Sequence, residues 1–160
     1  MYRFDVQCYI MKNKTIGIRE VARYAGVSTA SISRALNNPE VVSLALRAKV
    51  DAAIAALGYI PDAAARALSS RRTRTIGAII PTVDNAMFAR GIEALQQYLS
   101  LQGYLLLLAT NGYDPEVEFR QAQNMVSRGI DGLILRGDVH TEGLRRLLAT
   151  QRMPFVNVGV

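Results

Sequence analysis

Reactive and metal-binding side chains are scarce in this chain. It holds one cysteine, Cys8, and one histidine, His140, among 160 residues, which excludes a disulfide framework and any His/Cys metal cluster. No Gly-x-Gly-x-x-Gly or phosphate-loop motif follows the apolar run that ends at Ile80. The backbone cradle that nucleotide-dependent catalysis needs in a parallel sheet is therefore missing. The longest apolar run falls far short of a membrane span, and no signal peptide with a small-residue cleavage site is visible. With no catalytic residues, metal ligands or cofactor motif to assign, the expected function class is binding rather than catalysis.

Acidic residues are also few, but only in the front half. Residues 1–74 carry twelve Lys and Arg against five Asp and Glu, a net of +7, whereas residues 75–160 carry seven against eight, a net of −1. The whole excess of positive charge thus lies in one half of the chain, as expected where phosphates must be neutralised.

That basic half contains two short amphipathic segments. Ile18, Val21, Ala22 and Ala25 fall at helical intervals, and Ile32, Ala35 and Leu36 form a second apolar face after Ala25-Gly26-Val27-Ser28. Helices of eight or nine residues are not stable alone, so each must bury its face against the other and against a third helix. Gly26 supplies the positive φ that turns the chain sharply, Val27 plugs the corner, and Ser28 caps the second helix. Thr29, Ala30, Ser33 and Arg34 are left facing outward. An ordinary helical hairpin would also have a polar outer face; the adjacent positive charge favours a helix-turn-helix that binds DNA.

Several ordered motifs carry a resemblance to a known family. Glu20-Val21-Ala22, Ala25-Gly26-Val27-Ser28 and Ser31-Ile32-Ser33-Arg34-Ala35-Leu36-Asn37 resemble the headpiece of the lactose repressor/galactose repressor family of bacterial transcription regulators. Val42-Ser43 opens a third helix with Leu46, Val50, Ile54 and Leu57 inward, and Gly58-Tyr59-Ile60-Pro61 ends it. The resemblance implies that Thr29 and Ala30 discriminate operators and that Arg34 reads a base edge such as that of guanine, whose O6 and N7 accept a guanidinium fork. Ala30 offers only van der Waals contact. Ser28, Ser31, Ser33 and Asn37 are suited to phosphate contacts or capping.

Asp62-Ala63-Ala64-Ala65-Arg66-Ala67-Leu68 resembles the hinge-helix motif of the same family. The plain alternative is an inter-domain linker with basic residues, since six residues cannot sustain a helix in water. The resemblance implies a helix that folds on DNA, packs with a second copy in the minor groove and wedges Leu68 between base steps, with Ala65 also at the groove. Asp62 departs from the Asn usual there.

Beyond Arg74 the pattern changes. Apolar runs at Thr75–Pro81, Leu105–Ala109, Gly132–Leu135 and from Phe155 alternate with helical patterns at 87–101, 115–128 and 144–150. The first of these helices is expected to turn Ile92, Leu95, Tyr98 and Leu99 inward. Continuous apolar strands between helices predict a parallel sheet covered on both faces. The fold class expected is an all-α helix-turn-helix headpiece followed by an incomplete α/β parallel-sheet domain, similar to the periplasmic sugar-binding proteins.

Such sheets bind ligands at the carboxyl ends of their strands. Thr110 and Asn111 after the second strand and Asp138 after the third are candidate effector residues by that position, while the resemblance implies that the position of Asn85, after the first strand, starts the loop lining the effector cleft and that an aromatic at the position of Phe88 packs on the ligand. Met87 stands where the family often has an aromatic, and Ala86 where it has Pro, which leaves Phe88 as stacking residue or as the helix's core anchor. Asp131-Gly132 reads as a turn.

The domain organisation expected is an unstructured extension (1–14), a headpiece (15–61), a hinge helix and linker (62–74) and a partial effector-binding core (75–160). Either Met1 or Met11 serves as the start. Ending at Val160, the chain reads as a truncated product or fragment that exposes apolar surface and binds effector poorly. The partners implied are pseudopalindromic double-stranded operator DNA and a small-molecule effector such as a sugar or related metabolite. The family forms homodimers or higher oligomers, an expectation not extended to this chain by itself. The resemblance implies a cytoplasmic, nucleoid-associated bacterial regulator; the competing reading is a sequence-independent nucleoid-type DNA binder.

Overall fold

The computed structural model describes residues 16–159. The expected extension 1–14, both candidate starts and Cys8 lie outside the described residues. The chain divides into two compact units after Asp62.

The first unit contains three α-helices, α1 (Ile18–Ala25), α2 (Thr29–Asn37) and α3 (Leu44–Leu57), with a 3-10 turn at Pro39–Val41. The Glu20 carboxylate accepts from the Gly17 N–H at 3.0 Å and anchors the start of α1. At its end Gly26 adopts φ 66°, and the Val27 N–H reaches back to the Ala22 carbonyl at 3.0 Å. This left-handed residue reverses the chain within two positions, so that Ser28 caps α2 through its hydroxyl and the Ser31 N–H. Ser43 caps α3 in the same way. Val21, Ile32, Val50 and Ala53 are fully buried between the helices, joined by Ala22 and Ala35, while Val27, Leu36, Leu46, Ile54 and Leu57 pack around them. The inward residues expected from helical spacing are those found.

The second unit begins with α4 (Ala63–Ser70), which runs two residues past Leu68. It continues as β1 (Thr75–Ile80), α5 (Ala86–Leu101), β2 (Leu105–Thr110), α6 (Pro115–Ser127), β3 (Gly132–Arg136), α7 (Glu142–Gln151) and β4 (Phe155–Val158). The four strands form one sheet in the order β2-β1-β3-β4, and every pairing is parallel. Strand alternation places Gly77, Ile79, Leu107, Ala109, Leu133 and Leu135 on one face, where Ala122 and Met125 of α6 and Leu144 and Leu148 of α7 close the core. Gly77 brings these side chains close to the strand: a Cβ there would stand 2.7 Å from the Met125 sulfur and 3.0 Å from methyl carbons of Ile130 and Leu133. Helix α5 packs against β2.

Tyr98 corrects one expectation, because it is 63% exposed rather than inward. The half-buried residues of α5 are Phe88, Ile92, Leu95 and Leu99, a stripe at i, i+4, i+7 and i+11 that leaves position 98 about 90° off its centre. On the edge strand β4, Phe155, Val156 and Val158 are 50%, 59% and 41% exposed.

Because Ile32 is wholly enclosed by all three helices of the first unit, Ile32→Ala should destabilise that unit by roughly 2–5 kcal/mol. Urea denaturation followed through amide signals of α1–α3 measures the change; a loss well under 1 kcal/mol would show that the three helices do not share one core.

Candidate nucleic-acid surface and ligand cleft

On α2 the capping of Ser28 and the burial of Ile32 and Ala35 set which side chains face out. Thr29, Ala30, Arg34 and Asn37 are exposed, and Ser31 and Ser33 are half-buried. Ser28 is occupied as a cap, its hydroxyl also 2.9 Å from that of Ser31, and the Asn37 amide donates to the Ser33 hydroxyl at 3.3 Å. Thr29, Ala30 and Arg34 therefore remain available at the start and on the outer turn of the helix, the part that enters a major groove in helix-turn-helix docking. Tyr24, in the last turn of α1, is 62% exposed and was not singled out by the sequence pattern, which marks only apolar periodicity.

Helix α4 displays Ala65 and Leu68 to solvent, with Leu68 85% exposed. Its C-terminal end is tied to the chain that follows. The Ser70 hydroxyl donates to the Arg66 carbonyl at 2.9 Å and accepts from the Arg72 N–H at 3.2 Å, and the Arg71 N–H reaches the Ala67 carbonyl at 2.8 Å. Arg71, Arg72 and Arg128 line the open cleft beside this helix.

In the second unit the chain leaves β1 toward β2 on one side and then crosses to β3 on the other, so the strand order reverses between β1 and β3. A crevice opens at the carboxyl ends of strands where this happens. Here it is a cleft of about 490 Å³ lined by Asn85, Met87, Phe88, Asn111, Tyr113, Arg136 and Asp138. The four expected residues, Asn85 and Phe88 from the family resemblance and Asn111 and Asp138 from strand-end position, thus line one cleft; Thr110 ends β2. Asn85 also caps α5 by accepting from the Met87 N–H at 2.9 Å. Phe88 is half-buried, with the Arg136 guanidinium carbon 5.8 Å from its ring centroid, within cation–π range. Arg136 donates further to the Val158 carbonyl at 3.1 Å and to that of Gly159.

Below this cleft lies a polar group that sequence reading left as isolated residues. Glu118 of α6 lines the cleft floor, yet its side chain is 3% exposed and its Oε2 lies 2.8 Å from His140 Nδ1. His140 Nε2 stands 3.3 Å from Asn157 Oδ1 on β4. The bond network joins α6, the loop after β3 and β4, and it satisfies a buried carboxylate that would otherwise face apolar core. No group of three metal-ligating side chains occurs among the described residues, and no described helix is long and apolar enough to cross a membrane.

Comparison with known proteins assigns the two units separately. Residues 17–62 match the family described as bacterial regulatory proteins, lacI family, and residues 73–159 match periplasmic binding proteins and sugar binding domain of LacI family. The HTH-type transcriptional regulator GntR of Escherichia coli K12 is 38% identical over 148 residues, which are 92% of this chain and 45% of that protein. A LacI family transcriptional regulator from Silicibacter pomeroyi superimposes with a TM-score of 0.75 at 34% identity, covering 89% of this chain and 43% of that one. The lac repressor dimer bound to operator and the anti-inducer ONPF also gives 0.75, at 25% identity, over 90% of this chain and 44% of that one. The chain spans a little under half the length of these relatives.

His140→Ala removes the partner of a buried carboxylate and should destabilise the second unit by about 1–3 kcal/mol. Urea unfolding of the sheet core, followed through signals of β1 and β3, reads this directly. Unchanged stability would mean that water replaces the imidazole and that the network does not hold the loop after β3.

Proposed function

The chain belongs to the LacI family of bacterial regulatory proteins, and from that premise we propose that it is a sequence-specific DNA-binding transcriptional regulator, a repressor, whose operator affinity is controlled by a small-molecule effector. The observation that carries this reading is the pairing of an outward Thr29-Ala30-Arg34 face on a capped helix with a cleft at the switch point of a parallel sheet. One unit presents side chains to a groove; the other has space for a ligand.

In the proposed mechanism two copies of the first unit read the halves of a pseudopalindrome. Thr29 and Arg34 contact base edges, Ala30 touches a thymine methyl, and Ser28, Ser31, Ser33 and Asn37 hold register through phosphates or caps. Helix α4 of each copy docks in the central minor groove through Ala65 and Leu68. A sugar or related metabolite bound by Asn85, Phe88, Asn111 and Asp138 alters the separation of the two α4 helices. Effector and operator affinities are thereby coupled. Regulation in the bacterial cytoplasm, at the nucleoid and without catalysis, follows from this reading.

Selection from a random duplex library at physiological salt tests it. A symmetric site bound far more tightly than random DNA is expected; an affinity ratio near one would instead identify a sequence-independent nucleoid-type binder. Arg34→Ala should cost about 1–3 kcal/mol on the selected site and relax preference at one base per half-site. If binding weakened equally on all sequences, Arg34 would be a phosphate contact. Leu68→Ala should retain binding with a reduced DNA bend, measured by circular permutation gel shift, and an unchanged bend would exclude the wedge role.

A further inference from the structure

Between α4 and β1 the chain passes through residues that a flexible linker would not hold in place. Arg71 and Arg74 adopt φ of 55° and 52°, left-handed conformations that side chains other than glycine adopt only when the surroundings enforce them. For Arg74 the enforcing contacts lie on both sides of the residue. Its N–H donates to Asp131 Oδ2 at 2.9 Å, and its carbonyl accepts from the Leu105 N–H at 2.8 Å. The preceding N–H, of Thr73, donates to Asp131 Oδ1 at 3.0 Å, and the Thr73 hydroxyl is 2.7 Å from the Gly129 carbonyl and 3.2 Å from Asp131 Oδ1. The Asp131 N–H in turn donates to the Thr75 carbonyl at 2.8 Å. One half-buried carboxylate therefore receives two successive backbone N–H groups, and charge-assisted bonds of this kind are the stronger class.

The position of this clamp in the sheet matters more than its strength. Asp131 immediately precedes β3, and Arg74 immediately precedes β1. These are the two strands between which the strand order reverses, and at their other ends Pro81, Arg136 and Asp138 line the cleft. The clamp and the cleft thus sit at opposite ends of the same pair of strands, about 17 Å apart for a five-residue strand.

We propose that Asp131 is a positioning residue: its carboxylate fixes the direction in which α4 leaves the sheet and so sets the half-site spacing that the protein accepts on DNA. The second part rests on the regulator reading above; the first does not. Asp131→Asn keeps an oxygen for Thr73 but presents an amide to the Arg74 N–H, whereas Asp131→Ala removes both acceptors.

The test uses the full chain in a Cys8→Ser background, with nitroxide labels at Ala63→Cys on α4 and Gln123→Cys on α6, and measures their distance distribution by pulsed electron resonance. The parent should give one narrow distance, Asp131→Ala a broad distribution, and Asp131→Asn an intermediate one. Amide exchange at Ile79 and Leu133 monitors the sheet. An unchanged distribution in either variant with that protection intact, or a broad distribution in the parent, overturns the clamp. In library selection the parent should enrich half-sites at one spacing and Asp131→Ala the same half-sites at several. A single spacing in both would remove the link to DNA. If the parent enriches no half-sites, the regulator reading fails, while the label distances still decide the clamp.

Discussion

The second unit is organised around the pairing of strand β1, which is hydrogen-bonded to β2 on one side and β3 on the other. On one face Met125, Ile130 and Leu133 close over Gly77 and Ile79 is buried among them, while Ala78 and Ile80 are buried on the other. A strand paired on both edges cannot shift alone. Its carboxyl end therefore opens a crevice at a defined place, and its amino end presents a defined point at which the preceding helix attaches. The cleft, the Asp131 contacts and the direction of α4 all refer back to that strand.

The first unit achieves similar definition with far fewer residues. Its three helices are too short to persist alone, and they become mutually dependent through a core of Val21, Ile32, Val50 and three alanines. Small residues allow the helices to approach closely, and the left-handed Gly26 makes the turn between α1 and α2 short enough for Ser28 to cap the next helix. The outward face of α2 is the remainder after burial and capping have claimed their residues. That Thr29 and Arg34 face outward is in this sense a consequence of how Ile32 and Ala35 are packed.

Much of this was legible without coordinates, for reasons that differ by element. The strands at 75, 105, 132 and 155 could be read because each is a continuous apolar run, although only β1 and β3 are largely buried, and the helices because their buried stripes repeat at helical intervals. Helix starts moved by one or two residues where capping by Asn85 and Thr141 decided them, while the helix capped by Asp114 starts at Pro115 as expected. Tyr98 was misplaced because period alone gives the centre of a stripe and not its width. Asn111 and Asp138 follow from the rule about strand ends and Asn85 and Phe88 from the family resemblance; neither singles out Arg136, which closes β3 and stands over the Phe88 ring only in the folded chain.

What the chain determined by itself is whatever depends on near neighbours: helix periods, caps, the glycine turn, the segregation of positive charge and the family resemblance that these motifs carry. What tertiary structure alone decided are contacts between residues far apart in sequence. Thr73 meets Asp131 across 58 positions, and His140 meets Glu118 across 22. No local pattern marks such pairs, because a carboxylate before a strand and a lone histidine look alike whether solvated or bonded. The sheet order brings them together, and burial then makes each polar group require the partner it meets.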